Sequence, residues 1–521
     1  MSAVLIAAAF PGGIWSGLAW IALAPLLWAV TQVRTATQAF LLSWVAGSLL
    51  MVLVTSWLTP AIEYVLRWST APASGLMLVV AAFDALPLAV CGMLIFLARR
   101  HAPSLPMVVV APLALVCAEL LLPSVFGRKL GFMLADWPAI AQVADVTGLS
   151  GLSFLLATVN ACWVDLAAAL HRRRLPMASL LGTAMVLAVV MSYAQQRLEQ
   201  LDRLRAEAPQ LRVGLVQGNI GYLDAADPAR APAHFARYAE ASRALRRAGA
   251  AMIVWPEGAH PYSIQRSDLA IGRANRLSIL ATELKVPLLV GAMTLAPLPK
   301  PPDGSVKPTH SVRPDRYNSA LLFDPAQRAA QIYDKHRLFP VSEVLPFAGR
   351  WTWLESQVPG RRSVPGTQRN LLSTATLRIG ALVCYDELDG GFARGLAALR
   401  PNLLVAISSA AQIGGQAAPR QQLAMARLRS IELRLDQVRA TQNGISAIID
   451  ASGRMLAETR AVDPEQEPGS EAFGLTAQVA LLEAPPTFYA ERGECFATLN
   501  LLAALGLAFG IWAAQQVRLQ R

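Results

Sequence analysis

Apolar residues crowd the first 195 positions in long runs; from Arg197 onward they break into short strings separated by charge. Met1–Phe10 is apolar but too short to cross a bilayer, and Pro11-Gly12-Gly13 interrupts it, so it reads as a shortened first span. Ile14–Val30 is a full apolar run. Others follow at about 38–58, 74–98, 106–122, 150–170 and 177–194, and a last one at about 496–514. Each is near the ~20 residues that carry a helix through ~30 Å of hydrocarbon. The pattern predicts eight spans, the stub included.

From Leu211 the pattern shifts to short buried runs alternating with helical ones. Strands are expected at Leu211–Gln217, Ala251–Trp255, Pro287–Ala292, Leu377–Val383 and Asn402–Ile407. Ser319–Phe323 and Gln331–Asp334 look paired around Asp324-Pro325, and Gly444–Asp450 with Arg454–Glu458 forms a hairpin. Helices are expected at His234–Arg247, Asp268–Leu284, about 391–399 and Gln421–Leu435, with a loop from Pro297 to Pro314. This is a mixed α/β layered domain. The chain divides into a helical membrane domain (1–196), a water-facing α/β domain (197–490), and a last span with a short basic tail (491–521).

Composition agrees with that division. Hydrophobic residues make up 54% and charged residues only 16%, with a mean hydropathy of +0.40. Those values exclude a wholly soluble enzyme. The net charge of +11 does not point to nucleic acid, because no basic stripe is interleaved with aromatics. Much of it lies in short loops. Arg34, Arg99-Arg100-His101, His171 to Arg174, Arg518 and Arg521 fall on one side; Arg67 with Glu63, and Arg128-Lys129 with Asp136 and Asp145, fall on the other. Positive charge favours the cytoplasmic side, so residues 197–494 are expected outside, in the periplasm of a bacterial inner membrane. Asp84, Glu119 and Asp165 near span ends should face protein or water. The five cysteines form no disulfide framework, and no Cys/His pair has zinc-ligand spacing. No metal or cofactor is expected.

Three reactive residues each follow a predicted strand: Glu257 in VWPEG, Lys335 in YDKHRLFPVSEVLPF and Cys384 in VCYDE. A cysteine at the end of a rigid strand is well placed to be a nucleophile. Singly, each has an ordinary explanation: a solvated Glu, a solvent-facing Lys, a small buried thiol. Together, and in this order, they resemble the nitrilase superfamily, whose members carry a Glu-Lys-Cys triad on an αββα sandwich. The resemblance covers about residues 211–485 and extends to Tyr317-Asn318-Ser319 and to Arg439–Ala447.

The whole chain resembles the apolipoprotein N-acyltransferase family, bacterial inner-membrane members of that superfamily. The matching stretches are Tyr333-x-Lys335-x-x-Leu338-x-Pro340-x-x-Glu343-x-x-Pro346-Phe347, Val216 to Ile220, and Met425-Ala426-Arg427-x-Arg429-x-x-Glu432. The resemblance implies N-acylation of the S-diacylglyceryl-cysteine of an apolipoprotein. The acyl donor would be a phospholipid, such as phosphatidylethanolamine, and the route a thioester on Cys384 in ping-pong order. It assigns Glu257 as general base, Lys335 to the oxyanion and Glu343 to orientation. Tyr385 and Asp386 would support the site, and Asn318, Asn443 and Gln217 would bind substrate. The enzyme would act as a monomer in the bilayer. A membrane-anchored amidase that passes the acyl group to water, or an acyltransferase with another acceptor, is the alternative. Several positions depart from the family: Asp386 replaces a Glu, Ser408 to Gly414 lacks the usual Asn, Asp and aromatics, Gln422 replaces a His, and Ala226 replaces a Trp.

Overall fold

The computed structural model describes residues 1–11, 14–171, 173, 175–221, 224–225, 227–270, 275–297, 314–340, 343–344, 363–410, 415–464, 466–467, 469–483 and 485–519. Among these, five helical stretches are long and apolar enough to cross a membrane: Ala36–Val54, Thr70–His101, Ala144–His171, Met177–Glu207 and Cys495–Gln516. Leu181, Met185, Val189, Leu499, Leu502 and Phe509 stand more than half exposed on them, as lipid-facing residues would.

The spans differ from the expected set where local chemistry breaks a helix. The run Ile14–Val30 forms a 3-10 turn at Ser16–Leu18 and two helices, Ala19–Ala22 and Ala24–Val30. Asn160 caps the break from a neighbouring span: its Oδ1 accepts the N–H groups of Leu23 at 2.8 Å and Ala24 at 3.0 Å. Its Nδ2 donates to the Ala19 carbonyl at 3.0 Å. A helix interrupted in hydrocarbon needs such partners for the freed backbone groups. The Thr70–His101 stretch is two abutting helices, with Pro87 in the first turn of the second. The short helix Leu58–Leu66 was not foreseen. Helix Met177–Glu207 continues past the apolar run that ends near 194, as its Arg, Glu and Gln residues favour helix. At ~1.5 Å per residue it rises about 20 Å beyond that point. Asp84, Glu119 and Asp165 each accept a backbone N–H, from Val125, Leu130 and Met107 respectively.

Among the described residues of the second half there are thirteen strands: β1 (Gln210–Gln217), β2 (Met252–Val254), β3 (Ile264–Gln265), β4 (Leu288–Leu295), β5 (Arg316–Phe323), β6 (Gln331–Asp334), β7 (Leu372–Ser373), β8 (Arg378–Val383), β9 (Leu403–Ser408), β10 (Gln437–Thr441), β11 (Ala447–Ile449), β12 (Met455–Glu458) and β13 (Phe473–Ala480). One sheet runs β13-β1-β2-β4-β5-β6, with β3 beside β4; the other runs β12-β11-β10-β9-β8-β7. β1, β2 and β4 are mutually parallel, as are β8, β9 and β10, and antiparallel strands flank both sets. Side-chain alternation fixes the layers. Val213, Leu215, Met252 and Val254 face the second sheet; Val216, Ile253 and Trp255 face helices Ala231–Arg247 and Arg276–Leu284. Two sheets face to face with helices outside make the expected αββα sandwich. The sequence pattern missed β13, whose alternating Gly, Thr and Gln give it a weak apolar signal.

Helix Ala417–Leu433 joins the two halves, since its Ala424, Met425, Leu428 and Ile431 sit in the same core as the membrane helices. An ion cluster locks the joint. Arg434 is buried and its Nε lies 2.9 Å from Asp145 Oδ2, while its Nη2 donates to the Gln142 carbonyl at 2.9 Å. Arg197 reaches the same carboxylate at 2.8 Å from the protruding helix. Opening a buried ion pair costs about 3–5 kcal/mol because the remaining charge is left without a partner. Here Arg197 still serves Asp145, so Arg434→Met is expected near the lower end. Thermal unfolding in detergent should show a lower midpoint; an unchanged one would deny Arg434 this role.

Candidate active site

β8 ends at Val383, and Cys384 adopts φ +53, the left-handed region that a non-glycine residue rarely occupies. The chain then turns at once through a 3-10 segment, Cys384–Leu388, into helix Gly390–Ala397. The turn leaves Cys384 partly exposed at the strand end. Asp386 holds it there. Its buried carboxylate accepts N–H groups from Val383 at 3.2 Å, His336 at 3.2 Å and Arg337 at 2.7 Å. Asp386, inside that turn, thus wires it to the residues after Lys335. Burial pushes the Asp386 acid up to about 7, against the hydrogen bond from Arg337 and the charge of Lys335.

Lys335 follows β6 and is 2% exposed. Its Nζ lies 2.6 Å from Glu343 Oε2 and 3.4 Å from Glu257 Oε1. Asn318, on β5, joins the two carboxylates: its Nδ2 donates to Glu257 Oε1 at 2.6 Å and to Glu343 Oε1 at 3.1 Å. Its carbonyl also accepts the Lys335 N–H at 2.8 Å. Glu257 leaves β2 through Trp255-Pro256, and this turn lies against Gly291 of β4. A Cβ at Gly291 would stand 2.2 Å from the Pro256 carbonyl oxygen, so only glycine permits the approach.

The charges set the protonation states. Burial alone pushes the Lys335 ammonium down, but Cys384, Glu257 and Glu343 outweigh it and hold the group well above the ordinary lysine value. Burial and then Glu257 push the Cys384 thiol up to about 12, against the opposing charge of Lys335. Cys384 therefore rests as a thiol, which would need a base before it could attack. Alkylation of Cys384 by a small neutral haloacetamide, which consumes thiolate, should quicken about tenfold per pH unit between about pH 7 and 9. A flat profile would mean a preformed thiolate.

The other expected residues divide. The Tyr385 hydroxyl donates to the Val125 carbonyl, and its ring meets Phe339 edge-on at 5.3 Å. Gln217 is fully buried and its Oε1 accepts from Ser446 Oγ at 2.8 Å and Thr459 Oγ1 at 2.6 Å; none of its described hydrogen bonds reaches the Glu257, Lys335 and Cys384 group. Asn443 is buried, and its Oδ1 has no hydrogen-bond partner among the described residues. Gln422 accepts from Arg439 Nη2 at 3.2 Å. Ala226, Pro346, Phe347 and residues 411–414 lie outside the described residues. Sequence reasoning overlooked Glu387. It is buried within the turn that begins at Cys384 and accepts from Arg439 Nε at 3.0 Å and Gln437 Nε2 at 2.7 Å. Its only signal was an acidic residue directly after Asp386.

Comparison with known proteins matches two families to two parts of the chain. The carbon-nitrogen hydrolase family matches residues 212–466, and the apolipoprotein N-acyltransferase N-terminal domain matches residues 2–162. The apolipoprotein N-acyltransferase of Geobacter metallireducens is 30% identical over 506 residues, covering 95% of this chain and 91% of its own. That of Bdellovibrio bacteriovorus is 28% identical over 415 residues, covering 74% and 70%. Among solved structures, Nit3 of Saccharomyces cerevisiae, a nitrilase-superfamily protein, is 17% identical over 55% of this chain and 95% of its own, with a TM-score of 0.36.

Proposed function

The chain belongs to the apolipoprotein N-acyltransferase family, and on that premise we propose that it N-acylates the S-diacylglyceryl-cysteine of apolipoproteins from a phospholipid donor. The observation that carries the mechanism is Cys384 at a left-handed strand end, electrostatically coupled to a buried lysine and two carboxylates.

In the first half-reaction Glu257 takes the Cys384 proton as Sγ bonds to the ester carbonyl carbon. The carbonyl oxygen gains the electron pair and lies toward Lys335 Nζ, whose charge offsets it. Collapse breaks the C–O ester bond, and the lysophospholipid leaves with the proton from Glu257. In the second, the α-amino group attacks the thioester and loses its proton to Glu257. The C–S bond breaks, and Cys384 is reprotonated. Glu343 and Asn318 hold Lys335 and Glu257 in register. A static cation beside a developing oxyanion is commonly worth several kcal/mol.

Both substrates are lipids, and the five apolar helices and exposed apolar faces make this a membrane protein. On the positive-inside distribution of Arg and Lys, the inner membrane with residues 197–490 in the periplasm is the arrangement we favour, with membrane segments over 1–196 and 491–521.

The test is intact mass after incubating the purified chain with phosphatidylethanolamine and then with a diacylglyceryl peptide. An acyl mass on Cys384 that moves to the peptide amine is the expected result. Loss of that mass as free fatty acid, with or without peptide, would make the chain a hydrolase instead.

A further inference from the structure

A hollow of about 290 Å³ opens between three apolar helices, and none of its lining residues is Glu257, Lys335 or Cys384. Phe154 and Leu155 of Ala144–His171, Val186 and Val190 of Met177–Glu207, and Phe496 of Cys495–Leu519 form most of its wall. The polar side chains in the lining are those of Thr147 and Tyr193, and both are engaged. Thr147 Oγ1 donates to the Val143 carbonyl at 2.9 Å, and the Tyr193 hydroxyl donates to Asp145 Oδ1 at 2.8 Å. Water would find few partners there, so the hollow suits an apolar occupant. An apolar cavity of about 150 Å³ already admits a benzene ring. Met185 and Val189, on the same long helix, stand more than half exposed as lipid-facing residues would, so what borders the hollow from outside is hydrocarbon.

Charge gathers at one end. Arg197 follows Tyr193 by one turn, ~6 Å along the helix, and is the first charged residue past the apolar run. Its Nε lies 2.8 Å from Asp145 Oδ2, and its Nη1 donates to Gln200 Oε1. None of its described hydrogen bonds uses Nη2, and the side chain is 23% exposed. Arg434 Nη2 lies 2.9 Å from the same Asp145 oxygen. Two guanidinium groups thus share one carboxylate, which leaves an excess of one positive charge. The neighbouring charges cancel in pairs: Asp202 with Arg454, Asp436 with Arg205, and Glu494 with Lys129. Glu199 is held by Gln195 at 3.3 Å and, two residues from Arg197, faces another side of the helix.

We propose that this hollow holds an acyl chain of an anionic bilayer phospholipid, whose phosphate sits on Arg197 Nη2. An arginine just beyond an apolar run stands at the depth of lipid phosphates, and a chain hanging from that phosphate runs down past Tyr193 into the hollow. A lipid of net charge −1 neutralises the excess cation of the cluster. A zwitterionic lipid brings an ammonium that the cluster does not need. Asp145, Arg197 and Arg434 are also the joint between the membrane helices and the sandwich, so the lipid would brace that joint. It is a structural ligand there, separate from any lipid consumed at Cys384.

The experiment uses the full chain carrying Cys384→Ala, so that no acyl adduct forms, in micelles of a neutral detergent. Phosphatidylglycerol and phosphatidylethanolamine, each with a photoreactive diazirine in mid-chain, are crosslinked in turn, and the labelled peptides are mapped. At equal, subsaturating concentration phosphatidylglycerol should label residues 143–155 and 186–193 about tenfold more than phosphatidylethanolamine, the weight of one ion pair. The exposed face at Leu499, Leu502 and Leu505 should take the two lipids equally and serves as the reference for unspecific contact. Arg197→Gln should bring phosphatidylglycerol down to the level of phosphatidylethanolamine at the hollow. Val190→Phe, which fills the hollow, should remove the label of both lipids there and leave the reference face unchanged. Equal labelling of the hollow by the two lipids, or labelling no stronger than at the reference face, overturns the site without any variant, so a misfolded variant cannot decide the matter. A preference for phosphatidylglycerol that survives in Arg197→Gln overturns the role of Arg197. Displacement by inorganic phosphate as strong as by unlabelled phosphatidylglycerol would show a free-anion site and refute the lipid.

Discussion

Cys384→Ala is expected to remove the acyl adduct and all acyl transfer, while membrane insertion and the unfolding midpoint stay near those of wild type. The chemical half follows from the proposed route, in which no other side chain forms the covalent bond. The structural half follows from position. Cys384 is partly exposed and lies at the margin of the sandwich core, where alanine keeps the Cβ. The turn itself is held by Asp386 and its three backbone donors, which the substitution leaves in place. Alanine keeps a Cβ at φ +53 and so keeps the backbone strain. Cys384→Gly should therefore unfold at a higher midpoint than Cys384→Ala, by about 1 kcal/mol, with both inactive. Acyl transfer by Cys384→Ala at a rate near wild type would sink the covalent mechanism.

The sandwich was legible because its central strands are short, apolar and closed by abrupt turns, as at Leu377–Val383 and Ala251–Trp255. Glu257, Lys335 and Cys384 could be singled out because each stands just past a strand. What the sequence did not show is how these ends are joined. Asn318 was expected to meet substrate, yet it donates to both Glu257 and Glu343. Its strand pairing puts its backbone against Lys335, and no local pattern encodes that register. Glu387 was hidden for the same reason: its partners Gln437 and Arg439 are two strands away across the sheet. The spans were legible as apolar runs, but not their breaks. Nothing in Ile14–Val30 signals that Asn160, far along the chain, will cap an interruption there. Likewise the length of Met177–Glu207 depends on Asp145, Asp436 and Arg454, which its polar end meets only in the folded chain.

Lys335→Met should lower the rate of Cys384 acylation by about 10²–10³, the usual loss when one preorganised oxyanion partner is removed. It should also lower the unfolding midpoint, which Cys384→Ala does not. Lys335 is the cation between two carboxylates, at 2.6 Å and 3.4 Å, and methionine leaves Glu257 and Glu343 facing each other across Asn318 without it. Lys335→Arg should not restore the rate. The site is closed around a compact ammonium that is 2% exposed, and a planar guanidinium cannot reach both carboxylates from the same stem. The pH dependence separates this role from that of the nucleophile. A lysine whose folded pKa lies above its ordinary 10.5 contributes its full stabilisation below that value, and loses it only as pH rises through the folded pKa. Lys335 is therefore charged throughout the neutral range and adds no slope to the rate there. The rise of Cys384 alkylation with pH should persist in Lys335→Met but begin from a lower rate, since the thiol loses the charge that favours its thiolate. An alkylation rate equal to wild type at each pH would show that Lys335 does not act on Cys384, and its assignment to the oxyanion would fall with it.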